Sequence, residues 1–255
     1  MSPPAKIPSR AERKAALIDT HVELGSSRAS GTSNRSQGMG NEMSAIGTRF
    51  ARVFLALVMS FAVFGTMSAW AADAPSPDPA VAPIQAFCDT LLDTMKRAKE
   101  LGLKGRYDAL KPAIEKAFNL PQMTQIAVGP TWSTISSADQ KSLITAFERM
   151  TVANYASNFD GYSGEKFVVD PTVVTRNTDK LVSTKLVSTD NSSTAFIYRM
   201  RVTSDGSWKA IDILLDGYVS EMAQRRSDFS STIAAQGPTG LIKKINELGD
   251  KMLKG

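Results

Sequence analysis

The residues able to do chemistry are few. His21 is the only histidine and Cys88 the only cysteine among 255 residues. From residue 72 onward the chain therefore has no imidazole. That removes the Ser-His-Asp and Cys-His nucleophiles, histidine-based metal sites and any intramolecular disulfide from the part that reads as a domain. General-base work would fall to carboxylates or lysine. Asp212 and Asp216 lie four apart on an expected strand and share a face, with Arg199 near Asp212, an arrangement that suits surface pairing. Cys88 sits on an apolar helix stripe, where a thiol is inert packing. Arg225-Arg226 falls mid-helix, open to either a phosphate headgroup or an ion-paired face. Asn191-Ser192-Ser193 is a formal sequon placed on a turn. There is no Walker loop, no G-x-G-x-x-G after a strand and no G-x-S-x-G. This inventory points to binding, not catalysis, and calls for no cofactor.

The elements that would position these residues begin late. Thirty Lys+Arg against 25 Asp+Glu give a formal charge of +5 and a pI near 9.3. Eight basic and four acidic residues lie in 1–71, which leaves 22 against 21 for 72–255. The near-neutral remainder lacks the basic surface of a nucleic-acid binder, so no nucleic-acid partner is expected. Val53–Phe64 is an uncharged apolar run preceded by Arg49 and Arg52 and followed by Ala69-Trp70-Ala71. A basic start, a short apolar stretch and A-x-A make a secretory signal peptide over 43–71, cleaved after Ala71, which predicts an exported mature protein. The rival reading is a membrane anchor over Val53–Ala72. Residues 1–42, rich in Ser, Gly and Arg, read as a disordered extension or a start codon assigned too early, with Met39 and Met43 as alternatives. Residues 72–82 carry Pro75, Pro77 and Pro79 and read as a tether, leaving a domain over 83–255.

Within that domain helices come first. Ile84, Phe87, Cys88, Leu91, Met95 and Ala98 recur at helical steps, and Tyr107, Leu110, Ile114 and Phe118 mark a second helix. Pro121 to Val128 is a short third, stopped by Gly129-Pro130. Ser137 with Gln140 reads as a capping box opening a long helix to about Phe159. Residues 165–216 turn β-rich, with turns at Asn177-Thr178-Asp179, Asp190-Asn191-Ser192 and Asp205-Gly206. Two more helices follow, divided at Gly237-Pro238. The class is α+β, with a curved antiparallel sheet of four or slightly more strands covered by helices.

The turns fix which side chains share a face. A turn on Asp205-Gly206 sets Met200 opposite Ile211, Tyr198 opposite Ile213 and Phe196 opposite Leu215, with Arg199 meeting Asp212 behind. A loop at 190–192 aligns Val182, Thr184 and Leu186 with Met200, Tyr198 and Phe196. A turn on Asn177-Thr178 sets Val173 and Val169 beside Val182 and Leu186, with Phe167 beyond. Pro171 implies an edge strand or a bulge. One face is thus continuously apolar. Composition leaves open whether it meets a filled core or a ligand pocket.

An ordered set of segments resembles a known family. Asn119-Leu120-Pro121-Gln122-Met123, Val128-Gly129-Pro130-Thr131-Trp132, Ser137-Ala138-Asp139-Gln140 with Phe147 and Tyr155-Ala156, Trp208–Ile213 closing on Asp216-Gly217, and Arg226-Ser227-Asp228-Phe229 with Gly240-Leu241-Ile242 are similar to the MlaC/toluene-tolerance family of periplasmic lipid carriers. Ser220–Ala223 through Arg225-Arg226-Ser227 resembles the branch associated with hopanoid biosynthesis. The resemblance implies an α+β fold enclosing an apolar cavity, with a phospholipid or hopanoid ligand. It also implies exchange with an inner-membrane ABC lipid transporter complex and an outer-membrane lipid-transfer partner. The lipid pocket is then expected from Phe147, Met150, Tyr155, Phe167, Val169, Val182, Thr184, Leu186, Phe196, Tyr198, Met200, Ile211, Ile213 and Leu215. Tyr155, Thr184 and Tyr198 supply its few polar groups, and Arg226 is the candidate headgroup contact.

Overall fold

The computed structural model describes residues 77–254; the expected signal peptide and extension lie outside them. The fold begins two residues before the expected boundary. Asp78 accepts from the Ala80 amide at 2.9 Å and from Lys180 Nζ at 2.7 and 2.8 Å, tying the entry of the chain to the sheet. Helix α1 (Val81–Lys96) buries Ile84, Phe87, Cys88, Leu91 and Met95 along the expected stripe. Helix α2 (Ala98–Ala117) is kinked at Gly102, whose φ is +60°. Its buried Arg106 donates to the Ala156 carbonyl (2.7 Å) and the Ala98 carbonyl (3.1 Å), the first of these in a last helical turn that has no intrahelical partner for it.

Helix α3 (Leu120–Val128) is capped by Asn119, whose side chain accepts from the Gln122 amide, and Pro121 sits in the first turn, where its missing N–H costs nothing. A 3-10 segment, Gly129–Thr134, leads to α4 (Ser137–Asn158). The cap of α4 is Ser136, one residue earlier than expected: its hydroxyl accepts from the Asp139 amide at 3.1 Å. Gln140 reaches back instead to the Trp132 and Ile135 carbonyls. The strands β1 (Lys166–Arg176), β2 (Asp179–Val187), β3 (Ser193–Val202), β4 (Trp208–Leu215) and β5 (Val219–Ser220) form an antiparallel meander in that order. Helix α5 (Glu221–Lys254) is broken at Gly237-Pro238, as expected.

The register agrees with the turn argument in part. Phe196↔Leu215, Tyr198↔Ile213, Arg199↔Asp212 and Val173↔Val182 pair as expected. Met200 does not face Ile211; it pairs with Ala210, because a bulge makes Ile211 the extra residue. At that point the Ala210 carbonyl accepts from the Asn119 amide at 2.8 Å, so the ladder yields to the α2–α3 junction. The β2–β3 pairing is offset by two residues: Val182 faces Tyr198 and Thr184 faces Phe196. The loop closes through Ser188 and Ser192, centred one residue before the expected position. The edge strand β1 bulges around Pro171, which moves Val169 opposite Thr184 and Phe167 opposite Leu186. An offset of two restores the same face, so the apolar side still forms one surface.

Arg199 does not pair with Asp212. Arg199 and Arg201 both bind the buried Asp179 carboxylate, at 2.6 Å each. Burial opposes ionisation of Asp179, but the hydrogen bonds from Arg201 and Arg199 outweigh it and hold the carboxyl below its usual range. Asp212 turns to the start of α5, accepting from Ser220 Oγ (2.7 Å) and the Met222 amide (3.1 Å). Its negative charge there complements the helix N-terminus.

Candidate functional site

The helices and the apolar sheet face meet in an aromatic cluster. Phe87 stands edge-on to Phe118 (5.0 Å), Tyr155 (5.3 Å) and Tyr198 (6.4 Å), and Tyr155 stacks on Phe159 at 5.7 Å. Beside it lies an internal cavity of about 30 Å³. Its walls are Phe118 and Met123 from the α2–α3 region, Phe147, Met150, Thr151, Asn154 and Tyr155 from α4, Ile213 from β4, and Glu221, Met222 and Arg225 from α5. The chain reaches this place from both ends of the meander. A capped, long α4 and an α5 seeded by Asp212 and Ser220 bring their first and middle turns against each other over β4.

Of the expected pocket residues, Phe147, Met150, Tyr155 and Ile213 line this cavity. Val182, Thr184, Leu186, Phe196, Tyr198, Met200, Ile211 and Leu215 are buried but lie beyond its wall. Phe167 and Val169 are half-buried and pack against the core from the edge strand. Arg226 is not at the cavity. Its Nε donates to the Ile126 carbonyl at 2.9 Å on the surface, and its side chain lies over Gly129. The arginine at the cavity is Arg225, one residue earlier. It forms an ion pair with Glu221 at 2.8 Å, with the two side chains only 7% and 8% exposed. The spacing of four within one helix was a readable signal for this pair, because a charge on an apolar stripe is buried only when a partner can reach it.

The polar inventory of the interior is small and uneven. Thr184 Oγ donates to the Phe196 carbonyl at 3.3 Å. The Tyr155 hydroxyl is the one buried side-chain polar atom without a hydrogen-bond partner among the described residues. Burial pushes the Tyr155 phenol far above its ordinary range, so it is a neutral donor at any physiological pH. The Tyr198 phenol is raised for the same reason. Cys88 is pushed up to about 12 by burial, which makes it the inert thiol the stripe predicted. A larger groove of about 320 Å³ opens to solvent beside Glu115, Glu148, Asp205 and Lys209. Lys111 bridges Glu115 and Glu148 at its edge. Phe118, Leu120, Pro121 and Ile144 supply the apolar half of its wall, which stays open to solvent.

The model of the MlaC protein family matches residues 85–247. The chain belongs to the MlaC family. That match runs from α1 into the last part of α5 and contains every residue of the cavity wall. A phospholipid-binding protein from Ralstonia solanacearum, solved in complex with a phospholipid, is 21% identical and superposes with a TM-score of 0.60 over 68% of this chain and 98% of its own. At this identity the likeness is one of fold, and it supports the α+β architecture with the open antiparallel sheet. No curated protein matches the chain. No described helix of this MlaC-family member is long and apolar enough to cross a membrane.

Proposed function

We propose that this protein is a lipid carrier that takes a phospholipid into the interior between α4, α5 and the sheet, and moves it between the inner and outer membranes. The observation that carries the reading is the family match over 85–247, which includes the whole cavity wall. The phospholipid complex of a protein with the same fold supports the ligand class. The role is binding, not turnover. In this reading the chain works in the periplasm as the soluble partner of an ABC-type lipid transporter and an outer-membrane acceptor.

The physics sets what such binding requires. An internal space of about 30 Å³ has room for one water, so a tail enters only as the walls move apart. Burying a methylene is worth ~0.8 kcal/mol, so a chain of ~16 carbons gains roughly 12 kcal/mol on leaving water. That is as large as the whole stability of a typical domain, and more than enough to separate packed side chains. A hopanoid is the second cargo to test. The segment resembling the hopanoid-associated branch, 220–227, supplies Glu221, Met222 and Arg225 to the cavity wall. The experiment is an organic extract of protein purified from its native host, read by mass spectrometry. Co-purified phospholipid supports the main reading and a hopanoid the second. An extract without lipid, together with a melting temperature unmoved by added lipid, overturns both.

A further inference from the structure

We propose that Tyr155 is a specificity-determining donor of this pocket, its hydroxyl giving a hydrogen bond to an oxygen set on the ligand beyond its headgroup. The oxygen is an ester carbonyl or a chain hydroxyl. The inference rests on the lipid-binding reading and names the ligand feature that the site selects.

Three observations converge on this position. The Tyr155 hydroxyl is buried without a partner, whereas buried polar groups in folded proteins are nearly always satisfied. Its side chain lines the cavity, so part of its surface meets open space that a ligand can take. The ring itself is fixed, edge-on to Phe87 at 5.3 Å and stacked on Phe159 at 5.7 Å, so the hydroxyl cannot swing out to water. The same wall carries the Glu221–Arg225 ion pair, Thr151 and Asn154. A pocket meant for bare hydrocarbon gains nothing from these groups. A plain alkyl chain pressed against the Tyr155 hydroxyl would leave it unpaired and dry. An oxygen at that point satisfies it, and a pocket that loses a hydrogen bond for one ligand and keeps it for another discriminates between them.

The test uses the whole mature chain and three phosphatidylcholines of matched length: a diester, a diether lacking the ester carbonyls, and a diether carrying a mid-chain hydroxyl. Binding is read by displacement of a fluorescent lipid from wild type, Tyr155→Phe and the control Tyr162→Phe, an exposed tyrosine. Wild type should favour one oxygen-bearing lipid over the plain diether by about tenfold. A preference for the diester identifies the carbonyl as the oxygen, and a preference for the hydroxylated diether identifies the chain hydroxyl. Tyr155→Phe should erase that preference, binding the oxygen-bearing lipid about tenfold more weakly or the plain diether more tightly than wild type, and Tyr162→Phe should change nothing. Equal binding of all three lipids by wild type, or an unchanged preference in Tyr155→Phe, overturns the proposal and leaves the carrier reading intact. Binding of none of the three overturns the phospholipid reading, and this proposal with it.

Discussion

The buried pair Glu221–Arg225 gives the sharpest energetic expectation. Both side chains are over nine-tenths buried and meet at 2.8 Å within one turn of α5. Glu221→Leu removes the carboxylate and leaves a guanidinium in the wall of an apolar cavity. Breaking such a pair from one side costs about 3–5 kcal/mol, because the surviving charge keeps its desolvation penalty. Arg225→Met leaves the opposite charge, but Glu221 is the first residue of α5, where a helix N-terminus returns ~0.3–1 kcal/mol to a carboxylate. That variant should therefore lose less. The double variant Glu221→Leu/Arg225→Met removes both penalties and replaces them with apolar packing, so it should lie within about 1 kcal/mol of wild type. The two single losses together then exceed the double loss by at least about 4 kcal/mol, which is the coupling energy of the cycle. Urea unfolding followed by circular dichroism measures it, with the midpoint of Glu221→Leu falling by ~1–3 M at constant slope. A loss under about 1 kcal/mol in Glu221→Leu, or additive single losses in the double variant, would refute the claim that the two buried charges stabilise each other.

Two further expectations rest on other parts of the fold. Gly129→Ala places a Cβ at a φ of +75°, 3.2 Å from Arg226 Nε, and should destabilise by about 1–3 kcal/mol, measured by thermal melting; a melting temperature equal to wild type contradicts the strain argument. Asp179 is held below its usual range by Arg201 and Arg199, so its contribution is complete at neutral pH and is lost as pH falls through that lowered value. Asp179→Asn should flatten the acid side of the stability profile without steepening the alkaline side, and an unchanged acid slope counts against this.

Much of the fold was legible because the turns are chemically explicit. Asn177-Thr178 and Asp205-Gly206 sit where a positive φ or a tight reversal is needed; the first hairpin holds the expected register next to its turn, and the second is one residue off there (Met200↔Ala210) and regains it beyond the bulge at Ile211. The 188–192 loop carries Asp, Asn and Ser in a row, so its centre was ambiguous by one residue, and β2 and β3 pair two residues away from expectation. The bulge around Pro171 was readable from the proline itself, whereas the one at Ile211 answers to a tertiary demand, a hydrogen bond from Asn119, more than ninety positions back along the chain. The site was less legible than the fold. Phe118 reaches the cavity from the end of α2, where periodicity carries no orientation, and Met123 from a nine-residue helix too short for its periodicity to fix one face. Arg226, the expected headgroup contact, stands one helical step, about 100° around α5, from the cavity-lining Arg225. The i,i+4 glutamate was the clue to which arginine lines the cavity.

The buried thiol of Cys88 has a use as a clock. With its ionisation pushed up to about 12 and its side chain sealed beneath α1, it cannot react with an alkylating reagent while the helix is seated. Each labelling event therefore records one lifting of α1 from the aromatic cluster. The ratio of that rate to the rate in unfolded chain is the equilibrium constant of the opening, and its logarithm gives the free energy. A carrier whose interior must widen for a tail should open well short of global unfolding, and its clock should slow once the tail is in place. With no other cysteine in the chain, the signal belongs to one position alone.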